Sequence, residues 1–344
     1  MKMFWKVFGI VLAAVLLVWL VCFLLPRPQN FKGKNPVMKD GASACPILIA
    51  HGGGNKEFPD NTLEAFYNAY SVDPRVMMET DVSITADGVV ILSHDTTLDR
   101  KTNVSGAIAD WNYADLIALR VDFGYTNQTD DRQTLVPGTA RVKFTTEDGR
   151  NVTPLDVSYP QGIQPRDSEV FLATTLEELL IAFPENLINV EIKQPGETGM
   201  QCLRAVLALL EQYDAWDRVV LASFHEEIYS EYMRLQKAGE VPDAFMYSPA
   251  TNSVTKFVVL HLLGLDVFYR DGMCVFQLPV KQSGINLATE YLVDTAHRHN
   301  LAVHYWTIND RQDMRRLIEI GADGIMSDYP HRLAEVYAEY AEEE

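Results

Sequence analysis

Eight short apolar runs, most of them separated from the next by a helix-like segment, constrain this chain more than any other feature. The runs fall at 47–50, 77–82, 89–92, 187–192, 219–223, 243–247, 302–306 and 324–326. Apolar spacing and capping residues predict helices over 61–70, 175–183, 201–213, 226–237, 287–300 and 311–320, the second opened by a Thr175-x-x-Glu178 capping box. Strands that alternate with helices build βα units around a parallel sheet. Eight strands in this order predict an α/β TIM (β/α)8 barrel over residues 45–335. A doubly wound open sheet is the alternative, weakened because no strand is followed by a G-x-G-x-x-G phosphate turn. The stretch His51-Gly52-Gly53-Gly54 does not match that turn.

The rest of the chain frames this core. Residues 4–25 are apolar except for Lys6, long enough for the roughly 20 residues that cross a bilayer. The stretch 19–26 offers no small-residue cleavage site, so residues 1–25 read as an uncleaved single-pass anchor rather than a signal peptide. Lys2, Lys6 and the terminal amine on one side nearly balance Arg27, Lys32, Lys34 and Lys39 on the other, so loop charge does not set the orientation. The sequons at Asn103, Asn127 and Asn151 lean toward an extracytoplasmic catalytic domain if the source is eukaryotic. Residues 26–44 read as a linker, 121–170 as an irregular insertion after the third strand, and 336–344 as an acidic tail. The apolar segment 254–278 fits a barrel helix with its loop, or a surface that receives lipid.

A net charge of −18 argues against nucleic acid as a partner, because a duplex binder needs cations to displace counterions from phosphates. The four cysteines, Cys22, Cys45, Cys202 and Cys274, lack both zinc-site spacing and the density of a disulfide scaffold. Free, mostly buried thiols are expected.

The chemistry concentrates where the runs end. Side chains two apart on a strand share a face, so Glu79 pairs with Asp81, and Glu191 with Lys193. At the C-terminal mouth of a barrel those faces converge. Three carboxylates make a hard oxygen site suited to Mg²⁺ or Ca²⁺ rather than zinc, and Lys193 stands one strand-step away, placed to neutralise a phosphate oxygen. His51 and His94 each end a run and are candidates for general acid and base. His225 reads as structural. Asn61 reads first as a helix cap and second as a carbonyl ligand.

The segments His51-Gly52-Gly53, Asn61-Thr62-Leu63-Glu64-Ala65-Phe66, Glu79-x-Asp81-Val82, Thr85-x-Asp87-Gly88, His94-Asp95 and Leu98-Asp99-Arg100-x-Thr102 resemble, in order, the glycerophosphodiester phosphodiesterase family. So do Glu191-Ile192-Lys193, Trp306-Thr307-Ile308-Asn309 and the stretch from Gly321 to Pro330. The resemblance implies a TIM-barrel hydrolase that cleaves glycerophosphodiesters to glycerol 3-phosphate and an alcohol with a divalent cation. It implies Glu79, Asp81 and Glu191 as metal ligands, His51 and His94 as acid and base, Lys193 as phosphate binder and Trp306 as a pocket wall. The anchor and the apolar 254–278 segment look similar to membrane-bound members that act as lysophospholipase D. One position departs from the family pattern: Gly52 stands where an arginine usually follows the first histidine. Lys193 and the metal then hold the phosphate alone, or Arg100 or Lys56 reaches in, or substrate preference differs. A barrel that binds phospholipid head groups without catalysis is the remaining alternative.

Overall fold

The computed structural model describes residues 2–41, 43–118, 121–126, 141–166 and 168–341. Residues 127–140 of the expected insertion, the Asn127 sequon and the last three residues of the acidic tail lie outside the described residues. The chain begins with the helix Lys2–Leu24, of which Met3–Leu24, with an 18-residue window of mean hydropathy 3.0, is long and apolar enough to cross a membrane.

Strands β1 (Ile47–His51) and β2 (Met77–Ile84) pair in parallel, and β3 (Val90–Leu92) turns back antiparallel on the upper end of β2. The remaining strands are β4 (Ile188–Ile192), β5 (Val219–Ala222), β6 (Met246–Tyr247), β7 (Val275–Leu278), β8 (Ala302–Tyr305) and β9 (Gly324–Ser327). Parallel pairing runs β6-β5-β4-β2-β1-β9-β8-β7. The ring closes where Cys274 N–H donates to Tyr247 O at 3.1 Å. The expected TIM barrel is therefore present, with one exchange among its staves. The run at 89–92 is not a barrel strand: its backbone pairs antiparallel with Val82–Ile84, a hairpin enforced by the tight Thr85–Gly88 turn. The eighth stave is Val275–Leu278, inside the stretch read as helix and loop.

The walls alternate as the pleat requires. Inward-facing Ile49, Met77, Val220, Met246, Val275, Ala302 and Met326 fill the lower barrel. Outward-facing Leu48, Val190, Leu221, Phe276 and Ile325 pack under the helices, where a fully buried phenylalanine such as Phe276 contributes about 2–3 kcal/mol. The lower barrel is crowded enough that Gly324 cannot be enlarged: a Cβ there would lie 2.6 Å from His304 and 2.7 Å from Ile49. Residues 26–44 do more than link. Phe31 and Val37 plug the barrel floor, and Asn35 Nδ2 donates to Cys274 O at 2.7 Å and Asn300 O at 3.0 Å.

Helices close the outside. Thr175 and Glu178 form the expected reciprocal cap, with Glu178 N–H donating to Thr175 Oγ1 at 3.0 Å and Thr175 N–H to Glu178 Oε2 at 2.7 Å. The first barrel helix begins at Leu63, capped by Thr62 rather than Asn61. The four cysteines form no disulfide among the described residues, and Cys45 alone is partly exposed.

Candidate active site

Register assembles the site. β1 sets His51 opposite Glu79 on β2, and β2 sets Asp81 opposite Glu191 on β4. One strand-step beyond, Lys193 closes on the same mouth. Carboxylate oxygens of Glu79, Asp81 and Glu191 all lie within 4.8 Å of one another. They line a cavity of about 430 Å³ together with His51, His94, Lys193 and Trp306, so the structure brings every expected site residue into one chamber.

His94 arrives by an unexpected route. Because β2 runs on past the barrel rim and β3 folds back along it, the chain returns to the level of Asp81, where Ser93 N–H donates to Asp81 O at 2.8 Å. The next side chain, His94, then faces the carboxylates. Its Nδ1 meets Asp95 Oδ1 at 2.9 Å, and Asp95 Oδ2 accepts from Arg100 Nε at 2.7 Å. Across the mouth, His51 Nδ1–H donates to Asp328 Oδ1 at 2.6 Å, while its Nε2 points at Glu79 Oε2, 4.0 Å away. Asp328 is itself held by Asn309 Nδ2 at 2.7 Å. Each histidine thus has one nitrogen fixed by a carboxylate and the other free for proton transfer.

The charges explain the protonation states. Burial alone would disfavour a charged His51, but Glu79, Asp328 and Asp81 outweigh it and push its pKa up to about 10. His94 is raised in the same sense, against burial, by Asp81 and Asp95. Burial and the nearby Asp81 charge push Glu79 up to about 7, and burial also raises Glu191. Asp81, despite burial, is held down at about 2 by Lys193, His94 and His51. Lys193 Nζ sits 3.0 Å from Asp81 Oδ1 and 2.8 Å from Glu191 Oε1. Two of the three carboxyls resist ionisation because they are buried together and, fully ionised, would carry more negative charge than Lys193 offsets. That donor set, all hard oxygens, fits a divalent cation of the Mg²⁺ or Ca²⁺ kind.

Asn61 is neither helix cap nor open ligand. Its backbone takes φ +58°, and its amide receives Thr80 Oγ1–H at 2.7 Å and Asp81 N–H at 3.1 Å while donating to Asp81 Oδ2 at 3.1 Å. It therefore aims Asp81. His225 is structural as expected, its Nε2 bonded to Lys193 O at 2.9 Å. Asp328, Asp95 and Asn309 escaped assignment from sequence, and Arg100 was read only as an alternative phosphate contact, although each lies in a motif segment. Asp95 directly follows His94 and Asp328 directly follows a strand, which were the available signals.

Gly52 leaves a defined gap. It has φ +55°, a Cβ there would lie 3.0 Å from Asp60 Cβ, and its N–H donates to Glu79 Oε2 at 2.8 Å. Its backbone is thus committed to orienting a carboxylate. Arg100 does not compensate, because its guanidinium is 2% exposed and packed between Asp95 and Asp60. Lys56 does line the cavity.

Comparison with known proteins agrees with this construction. The model of the glycerophosphoryl diester phosphodiesterase family matches residues 51–332. A probable glycerophosphodiester phosphodiesterase of Mycobacterium tuberculosis is 26% identical, over 87% of this chain and 96% of its own. A human lysophospholipase D is 25% identical, over 83% and 84% respectively. The solved structure of an Oleispira antarctica phosphodiesterase in complex with sn-glycerol 3-phosphate superposes with a TM-score of 0.56 at 21% identity, covering 86% of this chain and 98% of that one. With the family model running from His51, at the end of the first strand, to beyond Asp328, this chain belongs to the glycerophosphoryl diester phosphodiesterase family, a family of phosphodiester hydrolases.

Proposed function

We propose that this chain hydrolyses glycerophosphodiesters to glycerol 3-phosphate and an alcohol, using a divalent cation and held at a membrane by its N-terminal helix. The observation that carries the reading is the convergence of Glu79, Asp81 and Glu191 within 4.8 Å, in one cavity with two carboxylate-oriented histidines. Glu79, Asp81 and Glu191 would hold the ion, which supplies Lewis-acid polarisation of the phosphate when bound.

The chain's own groups do the rest. Lys193, its charge kept by Asp81 and Glu191 against burial, neutralises a phosphate oxygen at the rim of the carboxylates. Lys56, exposed on the cavity wall, supplies the second cation that the family pattern places after the first histidine. One histidine takes the proton of the attacking glycerol hydroxyl and the other protonates the departing alkoxide, releasing the alcohol and leaving a cyclic glycerol phosphate. Water, its proton taken by the second histidine, then opens the ring to glycerol 3-phosphate as the first returns its proton to the glycerol hydroxyl. Asp328 and Asp95 keep the two rings in place for those transfers. Trp306 forms a wall of the substrate pocket.

A lysophospholipid is the second substrate class. Phe224, 57% exposed, stands at the mouth beside Trp306 with ring centroids 6.2 Å apart, an apolar rim suited to the start of an acyl chain. The relatives include proteins named for lysophospholipase D activity.

The test is a panel of glycerophosphocholine, glycerophosphoethanolamine and lysophosphatidylcholine given to the full chain in detergent, with Mg²⁺ or Ca²⁺ and with chelator. Alcohol release that the chelator abolishes, and that His94→Ala loses at an unchanged melting temperature, is the expected result. No release from any of the three, with head-group binding intact, would leave the non-catalytic binding barrel as the answer.

A further inference from the structure

The N-terminal helix and the catalytic mouth lie at opposite poles of the barrel. The chain enters from below: Asn30 N–H donates to His299 O at 2.9 Å and Gln29 Nε2 to Arg298 O at 3.2 Å, just ahead of the Phe31–Val37 floor plug. Arg27 fixes the junction. Its Nε lies 2.6 Å from Asp266 Oδ2 and its Nη2 3.0 Å from Oδ1, while Nη1 donates to Phe23 O at 2.7 Å. The Arg27 and Asp266 side chains are 3% and 1% exposed, and His299 Nε2 meets the same carboxylate at 3.1 Å. A buried two-point ion pair that also caps the helix end sets the direction in which the helix leaves, instead of leaving it on a loose tether.

Beside this junction the barrel floor shows an apolar face. Val259, Leu262, Leu263 and Phe268 are 49%, 60%, 56% and 58% exposed. The N-terminal helix is already seated against it, with Trp19 Nε1–H donating to Leu263 O at 2.9 Å. Trp19 lies about 7.5 Å from Leu24 along the helix at roughly 1.5 Å per residue. Interfacial apolar faces bury about 5–10 Å into a bilayer, so Leu263 lies at that depth when the helix spans. Lys32 and Lys34, exposed next to the plug, supply cations where head-group phosphates would lie.

The helix Thr251–Leu262 measures the separation between the poles. Pro249, just ahead of it, lines the catalytic cavity, and Leu262 ends it on the floor. Twelve residues at roughly 1.5 Å per residue make about 18 Å.

We propose that the barrel floor, through Val259, Leu262, Leu263 and Phe268, is seated in the head-group layer of the bilayer that the N-terminal helix crosses. The mouth then opens into water away from the surface. The site takes a phosphodiester from solution, whether a soluble glycerophosphodiester or a lysophospholipid monomer that has left the bilayer, and not one still embedded in it. This rests on the membrane anchoring proposed above.

The experiment uses the full chain reconstituted into phosphatidylcholine–phosphatidylglycerol vesicles, in a Cys45→Ser background. Bimane is attached through Leu263→Cys or Phe268→Cys on the floor, and through Ile285→Cys on the hairpin that follows the upper end of β7. Doxyl-labelled lipid should quench the floor labels and iodide should quench the Ile285 label. A mouth label quenched by lipid, or floor labels reached by iodide alone, overturns the proposal. Floor labels reached by neither quencher also overturn it, since a second protein copy then covers the patch. Flotation after a carbonate wash separates the two readings: protein left in the soluble fraction overturns anchoring and the proposal with it, whereas protein that floats with iodide-accessible floor labels overturns the proposal alone. Empty vesicles that withdraw lysophosphatidylcholine from solution should lower its turnover in proportion to free monomer and leave glycerophosphocholine turnover unchanged. Turnover that follows the bilayer-bound fraction refutes uptake from solution.

Discussion

Replacing Arg100 with methionine isolates the arm that holds His94. Arg100 heads the largest fully buried side chains among the described residues, and methionine keeps much of its stem while deleting the guanidinium fork. Asp60 retains Lys101, 3.0 Å away, but Asp95 loses the 2.7 Å bond from Arg100 Nε. Removing one member of a buried ion pair costs about 3–5 kcal/mol, because the partner's charge stays buried without compensation. At roughly 2–4 °C per kcal/mol for a domain of this general size, the melting temperature should fall on the order of 10 °C. The stability loss alone says nothing of catalysis. The informative quantity is kcat, measured well below both melting temperatures with glycerophosphocholine and a divalent cation. Freed from its clamp, Asp95 no longer holds the His94 ring, and a misplacement of about 1 Å costs up to about 10²-fold. Asp95→Asn should give a similar loss. If Arg100 acts through Asp95, the double variant is no slower than either single one, since both remove the same constraint. Multiplying losses, or an unchanged kcat in Arg100→Met, would refute the clamp.

Four further outcomes are expected. Asp328→Asn, which deletes the charge facing His51 Nδ1 at 2.6 Å while keeping the shape, should lower kcat by about 10–100-fold with KM little changed, the range typical of lost orienting carboxylates; steady-state kinetics check it. Mg²⁺ or Ca²⁺ at about 100 times its Kd should stabilise the fold by about 2.7 kcal/mol in a thermal melt, and Glu191→Gln should remove most of that gain. Lys56→Ala should raise KM and spare kcat, because an exposed cation on the cavity wall binds ground and transition states alike. The fourth concerns pH. Arg27 and His299 hold the Asp266 carboxyl, against burial, below its ordinary value of 3.8. A depressed carboxyl stabilises the fold above its ordinary pKa and loses that effect as pH falls through its folded value. The melting-temperature gap between the wild-type chain and Arg27→Gln should thus be full near neutral pH and close in acid; a gap that widens in acid would contradict the pairing.

The apolar N-terminal helix, the barrel class and the seven candidate residues that share one cavity were legible in the sequence because each is a local signal. An apolar run of membrane length, polar residues at strand ends and two-residue spacing on one face all follow from chain geometry. Which runs become staves was not legible. Val90–Leu92 and Val275–Leu278 are short apolar runs of the same kind, and only their backbone partners decide that one folds back along β2 while the other pairs with β8. The supports were equally hidden, because Asn61 reaches Asp81 and Asp328 reaches His51 across distances in the chain that no local pattern spans. The sequence by itself determined that two histidines and three carboxylates sit in or just after short apolar runs of one α/β barrel. The tertiary structure alone decided how each is aimed, that Arg100 is packed between Asp60 and Asp95 and not on the cavity wall, and that the mouth opens at the pole opposite the N-terminal helix. Those are matters of register and packing between residues far apart in the chain, and they exist only once the barrel has closed.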